Sequence, residues 1–164
     1  MTRSGKSIRR LLGDRAGNAM LEFAIGATVL VTVVLSAFQY GYIFYQYNAL
    51  TNSVRNAALF GAAYPYLTSC NTPDATWLLS TKNVAVYGNA GGTGSPLLPG
   101  LTTGNIQYNV DSVGVCGSGG GIGTFRPTEV TIFVSGYTIN GLFGNYVTTN
   151  KPQASYPYHG YYDP

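Results

Sequence analysis

The sequence predicts an α+β chain: a long amino-terminal helix of transmembrane character, followed by a small, irregular, antiparallel β-rich head. Three observations carry this reading. No charged side chain lies between Phe23 and Val54 and no proline precedes Pro65, so an apolar helix can run through the whole stretch. Past Pro65 the composition turns abruptly to Gly, Tyr, Pro and short β-prone runs. Only 9% of the 164 residues are charged, against 22 Gly, 14 Tyr and 8 Pro. That is too few charges for a typical cytosolic enzyme surface and too many aromatics for a disordered tail.

Four segments follow: a basic leader at 1–17, a helix at 18–64, a head at 65–149 and a Tyr/Pro/Gly-rich tail at 150–164. The net charge of +3 is concentrated in the leader, where Arg3, Lys6, Arg9, Arg10 and Arg15 face only Asp14. Positive residues beside a membrane span stay cytoplasmic, which puts the leader inside and the head outside. A nucleic-acid arm is the competing reading, but no basic or aromatic patch in the head continues such a footprint, so no nucleic-acid partner is expected. A secretory signal has its apolar core before the cut. Here a cut at Gly17 would precede it, and glycine is the residue that least obstructs a peptidase approaching the backbone.

The helix is expected from Ala19 to about Ala63, because Gly26 and Gly41 weaken it without ending it. At 1.5 Å per residue it would be roughly 68 Å long, so its second half must leave a hydrocarbon core of about 30 Å. Tyr40, Tyr42, Tyr45 and Tyr47 mark the exit, since tyrosine rings gather at membrane interfaces. Beyond them, Ala49, Leu50, Ala57, Ala58 and Gly61 offer a face for close packing on a neighbour or on the protein's own head.

The run Gly17-Asn18-Ala19-Met20-Leu21-Glu22-Phe23 resembles the prepilin peptidase motif of type IV pilin-like proteins: a glycine, four residues, a glutamate and an aromatic, opening a long apolar helix. With Phe38-Gln39-Tyr40-Gly41-Tyr42, Asn48-Ala49-Leu50 and Val54 to Tyr64, the stretch from 15 to 66 is similar to the TadE-like minor pilins of the tight-adherence (Tad) pilus. The resemblance implies a long amino-terminal helix with a small β-rich head. It also implies a non-enzymatic minor pilin or pseudopilin of the bacterial inner membrane. Its partners would be the membrane, prepilin peptidase, other pilin and pseudopilin subunits and inner-membrane pilus assembly proteins. Gly17 and Asn18 would flank the cut, and Glu22 and Phe23 would serve processing and assembly.

In the head, a helical turn is expected around Trp77, Leu78 and Leu79, then a β run at Val84-Ala85-Val86-Tyr87 and a loop over 88–96. Ile106 to Val115 alternates as a strand with Ile106, Tyr108 and Val110 on one face. Glu129 to Ile139 is the clearest strand, with Val130, Ile132 and Val134 inward. The two should pair across the glycine-rich 117–123 connection. From Asn150 the chain should hug the surface or lie loose.

Cys70 and Cys116 are the only cysteines. Two cysteines in a small head outside the cytoplasm more often pair than bind metal, and a disulfide closing this loop would contribute about 4 kcal/mol in the entropic view. No metal or other cofactor is expected, since the single histidine, His159, has neither ligand companions nor a nucleophile at recognisable spacing. The glycine loop lacks the following helix that a phosphate site requires. The tyrosines Tyr137, Tyr146, Tyr156, Tyr158, Tyr161 and Tyr162 could form a sticky patch or pack the head.

Glu22 is the one ionisable group of the apolar helix. A carboxylate at membrane depth costs roughly 2.5–3.5 kcal/mol on insertion scales and asks for a partner. A cut after Gly17 would free an α-amine on Asn18, with an ordinary pKa of about 7.7–8.0. Pairing with it, in the same chain or a neighbour, would offset both charges and set helix register. The rival is a Glu22 that snorkels to the interface beside Arg15. For the whole chain the rivals are an uncleaved single-span protein with an envelope-partner-binding head, and a surface adhesin acting through its tail.

Overall fold

The computed structural model describes residues 15–65, 67–69, 72–117, 126–141 and 143–160. It is an α+β chain with one long helix, α1 (Arg15–Ala63), and a head built on a second helix and short antiparallel sheets. Two compact units divide it between Gly41 and Tyr42. The first contains the apolar part of α1, where Met20, Phe23, Leu30, Val33 and Phe38 are all exposed. A helix apolar on every side finds its stable surroundings in a membrane or a large core.

In the second unit α1 becomes one wall of the head. Leu50, Val54, Ala57 and Ala58 are fully buried, with Gln46, Ser53 and Ala62 close to it. These positions recur every three or four residues, so they form one stripe. The small-residue face anticipated on this segment therefore packs on the protein's own head. Facing it is α2 (Ala75–Tyr87). Asp74 caps α2 by accepting from the backbone N–H groups of Thr76 and Trp77 at 3.0 and 3.2 Å. Gly88 ends it at φ 75°, donating to the Val84 carbonyl, a left-handed turn that glycine takes without Cβ strain.

This corrects the β run expected at Val84–Tyr87, which is the last turn of α2. Val84, Ala85 and Val86 are buried, and the capped helix plus this burial outweighs the modest β preference of valine. Leu98 and Leu101, from the irregular segment after α2, also fill the core.

Strands β1 (Leu67–Ser69) and β2 (Thr72–Pro73) form a small antiparallel pair. The main sheet has the order β3-β4-β7, all antiparallel, from β3 (Ile106–Val113), β4 (Arg126–Val134) and β7 (Gln153–Pro157). Ile106 faces Val134, Tyr108 faces Ile132 and Val110 faces Val130, so the expected hairpin and its inward face are both present. The boundaries differ: β3 ends at Val113, short of the expected Val115, and β4 starts at Arg126, before the expected Glu129. β4 stops at Val134 because Gly136 turns the chain at φ 73°, and Thr138–Asn140 is a separate strand, β5, paired with β6 (Asn145–Val147). The tail is no loose end either: β7 pairs with β4, setting Ala154 opposite Ile132 and Tyr156 opposite Val130. Beyond β7, the backbone N–H groups of His159 and Gly160 both donate to the Ala62 carbonyl at 2.8 Å. They satisfy a carbonyl that the end of α1 cannot pair internally.

Trp77 ties the layers together. Its indole N–H donates to the Gly61 carbonyl at 2.9 Å, and its ring meets Tyr108 edge-on at 5.9 Å. At Gly61 the helices approach closely, since a Cβ there would lie 3.2 Å from both Thr81 Cγ2 and Trp77 Cζ2. Gly61→Ala should stay within about 1 kcal/mol of the parent, because the helix preference for Ala over Gly opposes the crowding. Gly61→Val should cost about 2–3 kcal/mol, read as a lower unfolding midpoint of the head in thermal melts followed by near-ultraviolet circular dichroism.

Tyr137 is buried and its hydroxyl donates to the Pro99 carbonyl at 3.1 Å. Burial first, and the neighbouring Tyr42 second, raise its pKa above the ordinary 10.0. A phenol with a raised folded-state pKa contributes stability that is complete below its unfolded value and is lost as pH rises through the folded one. Melting temperature should therefore fall as the pH is taken above 10. In Tyr137→Phe that alkaline decline should be shallower, while stability at neutral pH drops by about 1 kcal/mol with the lost hydrogen bond.

Candidate functional site

Gly17, Asn18, Glu22 and Phe23 all lie in the opening turns of α1 and are all exposed. Asn18 and Glu22 are four residues apart and so share one helix face. Side chains on a helix lean toward its amino end, which inclines the Glu22 carboxylate back toward the Asn18 backbone nitrogen. The geometry suits an ion pair with an amine at Asn18, and in the uncut chain that nitrogen is part of a peptide bond.

The bond between Gly17 and Asn18 is helical here. No Cβ on Gly17 would meet anything within 4 Å, which leaves the approach to the backbone clear.

Further along, the polar groups of the apolar unit are satisfied within the helix. The hydroxyls of Thr28, Thr32 and Ser36 each donate to the carbonyl four residues earlier, at 2.8 Å. A hydroxyl bonded in this way does not carry an unmet donor into hydrocarbon. Helix α1 is long and apolar enough to cross a membrane.

Several expected features fall elsewhere. Cys116 is exposed after the end of β3 and no described cysteine is free, but Cys70 lies outside the described residues, as do the leader residues 1–14 and Tyr161 and Tyr162. The glycine connection is described only to Gly117. Tyr137 is buried and Tyr156 and Tyr158 are packed against the core, whereas Tyr146 is exposed. The tyrosines thus divide between packing and surface. Sequence reasoning missed the groove that Tyr146 shares with the start of the head's helical wall, where Ile43, Phe44 and Tyr47 stand. The sequence carries only its ingredients, the aromatic spacing of residues 42–47 and the uncharged stretch from Val130 to Asn150; their juxtaposition is a product of the fold.

These features define a class: among the described residues, one apolar helix long enough to cross a membrane, carrying a small α+β head. The family comparison is more particular, for residues 17–59 match the model of TadE-like proteins. Over that stretch the chain is similar to TadE-like proteins. The match opens on Gly17 and ends inside α1, so the head from Pro65 onward lies beyond it. No curated protein and no solved structure matches the chain.

Proposed function

We propose that this chain is a minor pilin or pseudopilin, structural and not enzymatic, that is cut between Gly17 and Asn18 by prepilin peptidase and then takes part in assembling a tight-adherence type IV pilus. The observation that carries the reading is the position of the family match, which begins on the glycine expected at the cut. Three further features support it. Glu22 stands one turn from Asn18 on the same face, the helix surface around it is apolar on every side, and the basic leader precedes both. In this reading the chain sits in the bacterial inner membrane with its head outside the cytoplasm. There, Cys70 and Cys116 pair in a disulfide that fastens the β1–β2 connection to the end of β3. Its partners are prepilin peptidase, other pilin and pseudopilin subunits and the inner-membrane assembly proteins.

Before the cut, Phe23 and Glu22 help present the Gly17 bond at the cytoplasmic surface. After it, the Asn18 amine and the Glu22 carboxylate neutralise one another as the subunit moves from lipid into a helical bundle. Removing one partner leaves the other charge unpaired in an apolar setting, which is strongly unfavourable.

The first test is the intact mass and amino-terminal sequence of the protein recovered from its native membrane, where the mature chain should begin at Asn18. A chain that keeps its leader in cells with active prepilin peptidase would instead indicate an uncleaved single-span protein. The second test is Glu22→Ala. Membrane insertion should be retained, while incorporation into pili should fall by roughly 100-fold, the factor that about 3 kcal/mol of unpaired charge implies. Unaltered incorporation would remove Glu22 from the mechanism.

A further inference from the structure

The head carries a shallow apolar groove of about 160 Å³ between Ile43, Phe44 and Tyr47 of α1 and Tyr146 of β6. Beside it the β5–β6 hairpin exposes large apolar side chains to an unusual degree: Phe143 is 60% exposed, Val147 54% and Tyr146 48%. On a soluble surface, a cluster of this kind marks a contact site.

Residue count gives the level of this cluster. Phe23 through Tyr42 is a run of 20 residues, and about 20 helical residues span a hydrocarbon core of about 30 Å. Ile43, Phe44 and Tyr47 are thus the first residues past the acyl chains, where aromatic side chains concentrate. Tyr146 shares their groove, so the hairpin lies beside the residues that begin the second unit. Its chemistry suits that level too. From Val130 to Asn150 there is no charged residue, and the hairpin sequence contains only Thr, Ile, Asn, Gly, Leu, Phe, Tyr and Val. Neither the groove nor the hairpin offers a charge with which to steer a protein partner. Phe and Tyr beside Asn and Thr match a zone that is apolar on one side and wet on the other.

We propose that the β5–β6 hairpin is a second membrane anchor, with Phe143, Tyr146 and Val147 seated in the headgroup region of the leaflet from which α1 emerges, and lipid filling the groove against Ile43, Phe44 and Tyr47. The head would thereby be held against the bilayer until the subunit is withdrawn. This rests on the membrane-anchored reading of α1 and does not depend on processing at Gly17.

The test uses the full chain reconstituted into phosphatidylcholine vesicles. Flotation with the vesicles checks the anchoring of α1 first, and a protein that does not float overturns both readings. Phe143→Trp and, separately, Val147→Trp then place an indole on the hairpin. Both positions are exposed, so the fold should tolerate them, and near-ultraviolet circular dichroism verifies this. The native Trp77 is buried and supplies a background measured in the parent protein. With phosphatidylcholine brominated high on its acyl chains, the added emission of each variant should fall about twofold or more, and less with bromines near the chain ends, as expected for interfacial insertion. Floated protein whose added indole ignores brominated lipid and remains open to aqueous acrylamide would overturn the anchor. So would an indole that is shielded only after a pilin subunit is added, since the groove would then belong to a protein.

Discussion

The burial of one stripe of α1 by the head is the constraint on which the rest depends. Leu50, Val54, Ala57 and Ala58 are completely covered, and the Trp77 indole reaches across to the Gly61 carbonyl. Without that stripe the head would have a three-stranded sheet and a 13-residue helix, little core for a domain of this size. With it, Ile106, Val130, Ile132 and Val134 close over an apolar wall that is already rigid. The same helix thus answers to two solvents. Its first part presents apolar side chains on all sides and its second presents a single stripe, a difference that follows from side-chain composition alone.

The tail contributes to the same end. A long helix that stops at the edge of a head leaves carbonyls exposed at its last turn, and here the N–H groups of His159 and Gly160 meet one of them on Ala62. The Tyr158 hydroxyl also donates to the Tyr64 carbonyl at 3.3 Å. Chain order therefore runs helix, head, sheet edge and back to the helix, so residues nearly a hundred positions apart fix one end of α1.

What could be read from the sequence divides along physical lines. Local patterns were legible: the charge-free helix, the alternation of Ile106, Tyr108 and Val110, and the inward set Val130, Ile132 and Val134 all signal their own surroundings. The last turn of α2 was not, because Val84 to Tyr87 has the composition of a strand. The deciding signals lay at its flanks, in Asp74 ten residues before and Gly88 just after. The role of the tail was illegible for a different reason. A strand of Gln, Ala, Ser, Tyr and Pro has weak intrinsic preference and becomes a strand because β4 offers it an unpaired edge, a long-range fact. At the candidate site, the spacing of Gly17, Asn18, Glu22 and Phe23 was fully visible, since a helix turns four-residue spacing into proximity. The groove at Tyr146 needed the fold to bring residues a hundred positions apart together.

The burial pattern also limits how α1 can meet a neighbour. Small residues that would let two helices approach closely are, at Ala57, Ala58 and Gly61, already used by the head. The face of the same segment left exposed carries Asn48, Asn52, Arg55, Asn56 and Leu59, which is polar apart from one leucine. Close apolar packing on another helix is therefore open to the first part of α1, whose side chains are uncovered all round. Beside the head, α1 itself offers amides and the Arg55 guanidinium. Polar contacts of that kind contribute geometry more than affinity, so under the proposed pilin reading the apolar half would supply attraction while the polar face and the Glu22 carboxylate would set the register.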